Sequence, residues 1–119
     1  MPVLSAGSKF VTHATALTTT SDTDCYVVPD SFSSHVENFM ITNDNAGNIA
    51  YTLKYYEADT TTTHTLFSAH NVAGKSAEYI FTVDKPLYIH AGDKLIVAAG
   101  TANELTVVIA AEEFYEGTR

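Results

Sequence analysis

Five histidines, one cysteine and fourteen carboxylates are the side chains of this 119-residue chain that could do chemistry. The histidines are His13, His35, His64, His70 and His90. A zinc-type site legible in sequence needs His-x-His, His-Glu-x-x-His or paired cysteines, because the ligands must share one face of an element. None of these spacings occurs, and His64 and His70 only flank one short strand-like run. Surface or hydrogen-bonded histidines are the expectation. Asp22, Asp24 and Asp30 begin like a calcium loop but lack its central glycine and closing glutamate. Asn43, Asp44 and Asn45 offer oxygens too, which turns use in any case. Glu112 and Glu113 are adjacent, so in a strand they point to opposite faces and cannot act as a paired carboxylate. Cys25 sits in Thr-Asp-Cys-Tyr-Val-Val, where a buried small hydrophobe is expected and not a nucleophile. There is no Gly-x-Ser-x-Gly elbow, phosphate-cradling glycine loop or Cys/His pairing. The expectation is a non-enzymatic chain with no catalytic, cofactor-binding or metal residue.

The elements that would position such groups all read as strands. Residues 86–111 run strand, turn, strand, turn, strand, with turns at Ala91-Gly92-Asp93 and Gly100-Thr101-Ala102-Asn103. Gly92-Asp93 reads as a tight connection, not a metal or phosphate site. Upstream, strands are expected over residues 9–20, 25–28, 35–42, 49–57, 64–69 and 77–83. In the third, Phe39 and Ile41 would share a face with Glu37, opposite Val36, Asn38, Met40 and Thr42. It meets the fourth across Asn43-Asp44-Asn45-Ala46-Gly47-Asn48, a turn-rich cluster that predicts a hairpin. In the fourth strand Tyr51, Leu53 and Tyr55 would face the core. Eight or nine short strands with no helical period predict an all-β, antiparallel two-sheet β-sandwich with jelly-roll or Ig-like connections. Residues 8–112 would form this single domain, between an N-terminal arm at 1–7 and an acidic, aromatic C-terminal tail at 113–119.

Composition agrees. Seventeen threonines, seven tyrosines and six phenylalanines suit pleated, half-buried surfaces. The formal charge of -8 repels phosphate backbones, so no nucleic-acid partner is expected. No run approaches the ~18 apolar residues that would span a bilayer, and the first residues lack a signal peptide's basic and apolar regions. A lone cysteine permits no intrachain disulfide, which fits assembly in a reducing cytosol. Tyr51, Tyr55, Tyr56, Tyr79 and Tyr88 fall in expected strands, where each ring could serve the core or a contact surface. Exposed rings beside Asn/Asp loops would also suit a carbohydrate-binding module for host surface glycans.

Two stretches carry a resemblance. One is Asn38-Phe39-Met40-Ile41-Thr42-Asn43 followed by Ile49-Ala50-Tyr51-Thr52-Leu53-Lys54-Tyr55-Tyr56. The other is Pro86-Leu87-Tyr88-Ile89-His90-Ala91-Gly92-Asp93-Lys94-Leu95-Ile96-Val97, then Ala102-Asn103-Glu104-Leu105-Thr106-Val107. Together they resemble small β-sandwich accessory structural proteins of tailed bacteriophage virions. The resemblance implies a virion component assembled in the host cytoplasm, most simply a capsid decoration or cement protein. Its partners would be the major capsid protein or other virion proteins, bound as a homo-oligomer such as a trimer. A neck, tail or fibre-associated adaptor is the alternative on the same particle. The resemblance transfers no site residue.

Overall fold

The computed structural model describes residues 8–116, so the arm expected at 1–7 and the last three residues lie outside the described residues. Nine strands follow in order: β1 (Ser8–Ala16), β2 (Thr23–Val27), β3 (Phe32–Asn43), β4 (Ile49–Glu57), β5 (Thr62–Val72), β6 (Ala77–Phe81), β7 (Leu87–Ile89), β8 (Lys94–Ala99) and β9 (Leu105–Tyr115). They form two antiparallel sheets. The five-stranded sheet has the order β1-β9-β3-β6, with β7 also on β3, and the four-stranded sheet has the order β2-β8-β4-β5. β6 and β7 make one interrupted edge, broken around Pro86. The chain crosses between sheets after β1, β2, β3, β5, β7 and β8, which is jelly-roll winding rather than the Ig-like arrangement.

Strict alternation builds the core. β9 buries Leu105, Val107, Ile109 and Ala111; β8 buries Leu95, Val97 and Ala99; β4 buries Ile49, Tyr51 and Leu53. Burying side chains of this size stabilises the sandwich by about 1.5–3 kcal/mol each. The same alternation carries past the hydrophobic run to Glu113, which is only 2% exposed. Its Oε2 accepts the Tyr26 hydroxyl at 2.5 Å, and Oε1 lies 3.7 Å from Lys9 Nζ. Residues 113–115 therefore continue the last strand, and the expected tail begins later than residue 113.

Two local expectations are corrected. Strands β3 and β4 are both present, with the turn between them, but they are not a hairpin. β3 pairs with β9, β6 and β7, whereas β4 pairs with β5 and β8. The turn steps across the sandwich, held by Asn43, whose Nδ2 donates to the carbonyls of Gly47 and Val72 at 2.9 and 3.0 Å. Asn43 Oδ1 accepts from the Asn45 amide at 2.8 Å. Gly74 packs beneath: a Cβ there would lie 2.1 Å from the Ala46 carbonyl oxygen. The second correction concerns faces. The β3–β9 register shifts between Val36 and Asn38. This bulge rotates the strand, so Val36 joins Phe39 and Ile41 in the core.

Candidate functional site

At one end of the sandwich, three turns enclose a cleft of about 740 Å³. They are the β2–β3 turn with Phe32 at its exit, the β4–β5 turn around Ala58, and the β7–β8 turn at His90–Asp93, with Glu116 beside them. Gly92 turns the last of these with φ +85°, a conformation open to glycine. Asp93 is 2% exposed, and its carboxylate is fully engaged. Oδ1 accepts the Ala58 amide at 2.9 Å; Oδ2 accepts the Tyr55 hydroxyl at 2.6 Å and the His90 amide at 2.9 Å. Burial, then the bond to Asp93, raises the pKa of Tyr55. Asp93 is thus the clamp of a tight connection. Of the other lining acids, Glu57 Oε1 accepts from Thr60 at 3.0 Å within the β4–β5 turn, and Glu116 Oε2 accepts from Ser33 on β3 at 2.7 Å.

Among the described residues, the groups with metal-ligand chemistry that approach one another are His35, Glu37 and Glu112, with one donor atom each within 4.8 Å of the others. Sequence spacing missed this trio because Glu112 is the cross-strand partner of His35, and only the β3–β9 register joins them. His35 Nδ1 lies 3.6 Å from Glu37 Oε2, and its ring stacks on Tyr88 at 4.4 Å. Nε2 is buried without a hydrogen-bond partner. A metal on Nδ1 would force the ring proton onto that buried nitrogen, where nothing accepts it. The arrangement therefore gives a metal little support. Glu112 instead accepts the Ser8 hydroxyl at 2.5 Å.

The remaining candidates are dispersed. Asp22 pairs with Lys54 at 3.0 Å and Asp24 with Lys94 at 3.3 Å, while Asp30 is exposed, so the three do not converge as a calcium loop. His64 and His70 both lie on β5 but engage different acids, Glu57 at 3.4 Å and Glu78 at 2.7 Å. The His13 ring packs at a tilt against Tyr26, with centroids 5.3 Å apart. Cys25 is buried, and burial pushes its thiol up to about 12, the opposite of an activated nucleophile. Of the five strand tyrosines, Tyr51 is core; its hydroxyl donates to Glu78 at 2.7 Å, and burial followed by that bond raises its pKa. Tyr55 and Tyr56 are half-buried, and Tyr79 and Tyr88 are exposed.

The two sheets present unlike outer faces. On the four-stranded sheet, the Lys54–Asp22 and Lys94–Asp24 pairs lace the surface, and Lys94 lies over Tyr56 at 5.3 Å. On the five-stranded sheet, three successive cross-strand rows carry no charge. These are Thr12-Ala110-Asn38, Ala14-Val108-Met40-Tyr79 and Ala16-Thr106-Thr42-Ala77. Phe10 and Tyr88, 76% and 66% exposed, stand at the ends of the next row. An uncharged centre bordered by a row of Phe10, Glu112, His35 and Tyr88 has the composition of a protein contact surface.

A nine-stranded jelly-roll sandwich with one sheet face whose centre is uncharged is the class that fold and surface define. No family model matches the sequence, and no curated protein matches it significantly. Among solved structures, a chain from Bacillus endospore appendages, described as a novel family of disulfide-linked pili, aligns at TM-score 0.56 and 11% identity. The alignment covers 98% of each chain. It is a likeness of fold. Eiger TNF from S. frugiperda aligns at TM-score 0.39 and 12% identity, over 92% of this chain and 96% of that one. The CBM22-1–GH10 modules of Clostridium thermocellum xylanase 10B align at TM-score 0.35 and 8% identity, over 96% of this chain and 27% of that one. At those scores neither carries an argument.

Proposed function

We propose that this chain is a non-enzymatic structural component of a tailed-phage virion, a decoration or cement protein that docks on the capsid. The docking surface is the outer face of the five-stranded sheet. The observation that carries the reading is the contrast between the two outer faces: one is laced with ion pairs, the other holds three rows without a charge. In a chain of net charge -8, leaving the centre of one sheet uncharged allows close approach without desolvating ions. The resemblance carried by residues 38–56 and 86–107 supplies the particle. The partner is the major capsid protein or a neighbouring virion protein, and repeated copies on a symmetric shell convert modest single contacts into firm attachment.

Copy number in purified particles tests the reading. A decoration protein is present on the order of hundreds of copies per head, following shell symmetry. About a dozen copies or fewer would instead favour a neck or tail adaptor. Absence from the particle would overturn both.

A further inference from the structure

We propose that the cleft at the loop end of the sandwich binds a neutral oligosaccharide. The site lies apart from the docking face and does not rest on the virion reading.

At about 740 Å³ the cleft has the size of a small-molecule site, since such pockets span roughly 300–1,000 Å³. Its walls are tied to one another before any ligand arrives. Asp93 joins the β7–β8 turn to Tyr55 and to Ala58. The Gly92 amide donates to the Val28 carbonyl and the Val28 amide to the Asp93 carbonyl, both at 3.0 Å, which binds the same turn to the exit of β2. On the third wall, the Glu116 amide donates to the Ser31 carbonyl at 2.6 Å. Ser31 is held there at φ 69°, a left-handed backbone that a residue with a side chain keeps only where its surroundings enforce it. A preformed cleft spares its ligand the entropy of ordering three loops.

Three side chains of the lining are left over from this bonding. The Ser31 hydroxyl, the Asp59 carboxylate and the His90 imidazole are exposed, and none of them makes a hydrogen bond among the described residues. Between them they can both donate and accept. Phe32, Ala58 and Ala91 give the same lining its apolar part.

Ligand chemistry follows from these groups. Four carboxylates, from Glu57, Asp59, Asp93 and Glu116, line the cleft without any Lys or Arg, so phosphates, nucleotides and acidic sugars are repelled. Among the described residues, the metal-ligand atoms that cluster within 4.8 Å belong to His35, Glu37 and Glu112, outside the cleft. A cationic side chain would engage the acids alone. A sugar ring engages the whole lining: its hydroxyls donate to carboxylates and accept from imidazole and serine, while its C–H faces lie on the apolar residues. None of the seven tyrosines lines the cleft, so the exposed rings that suggest glycan binding in the sequence are not part of this site.

Calorimetric titration of the intact chain with maltohexaose, cellohexaose, mannohexaose and chitohexaose, each up to about 10 mM, tests this. The expected result is saturable binding of at least one, with Kd on the order of 0.1–1 mM. Asp59→Ala and, separately, His90→Ala should each weaken that binding about 10-fold. Neither side chain holds the fold, and His90→Ala keeps the backbone amide that Asp93 accepts, as circular dichroism would verify. Tyr79→Ala, on the five-stranded sheet, should leave binding unchanged. No binding of any of the four sugars, binding indifferent to both cleft variants, or binding lost with Tyr79→Ala would overturn the proposal. So would tetralysine that saturates the cleft at physiological salt and is weakened by Asp59→Ala while no sugar binds, which would assign the cleft to a basic partner.

Discussion

Asp93 closes the loop end of the molecule by tying its own β7–β8 turn to the end of β4 and the β4–β5 turn with one carboxylate. Asp93→Ala leaves the Ala58 and His90 amides and the Tyr55 hydroxyl without their acceptor, so we expect a loss of about 3 kcal/mol in denaturant unfolding. Asp93→Asn should cost less, since its remaining oxygen still accepts, although its amide faces a donor. The buried hydroxyls and thiol predict an alkaline limit. Burial raises the pKa values of Cys25, Tyr26, Tyr51 and Tyr55 above the ordinary 9.0 of a thiol and 10.0 of a tyrosine. Above those values the unfolded chain releases protons that the folded chain keeps. Stability is therefore full below about pH 9 with respect to these groups and falls as pH rises, by up to about 1.4 kcal/mol per pH unit per group. Urea titrations between pH 8 and 11, approximate bounds chosen around those pKa values, should show a midpoint falling more steeply past 10. At this scale the turn at Gly92-Asp93 was legible in sequence, because glycine and aspartate punctuate locally. The partners of Asp93 were not, since Tyr55 and Ala58 are joined to it only by the meeting of distant turns.

Strand existence and face were written in the alternation of β4, β8 and β9, and those elements lie where the sequence places them. Pairing was not. A hairpin turn and a step between sheets both call for Asn, Asp and Gly, so residues 43–48 could not announce that β3 and β4 belong to different sheets. The bulge in β3 was hidden for a similar reason, as an inserted residue leaves no mark of its own in a strand-like run. Asn43 is where the crossing is enforced. Asn43→Ala removes its donor and acceptor from a buried site and should cost about 2–3 kcal/mol, read from thermal or urea unfolding. Asn43→Asp should be worse than Ala, because it turns a carboxylate towards the Gly47 and Val72 carbonyls. Equal costs for the two variants would show that the carbonyl contacts do not hold the turn.

As a whole molecule, the sandwich presents unlike surfaces. Ion pairs lace the outer face of the four-stranded sheet, the centre of the other sheet holds three uncharged rows beside the Glu37 and Glu112 carboxylates, and β5 has no formal charge. The all-β sandwich was legible from rhythm alone, and the resemblance suggested a particle. The contact face was not legible, because it exists only once β1, β9, β3 and β6 stand side by side. Its role is the central claim, and binding to undecorated heads tests it most directly. Val108→Glu or Ala110→Glu places a carboxylate in the middle of the uncharged rows and should weaken co-sedimentation with heads at least about 100-fold, while Thr52→Glu on the opposite sheet leaves it unchanged. Heads that bind Val108→Glu as well as the unaltered chain, or that lose Thr52→Glu instead, would contradict the account.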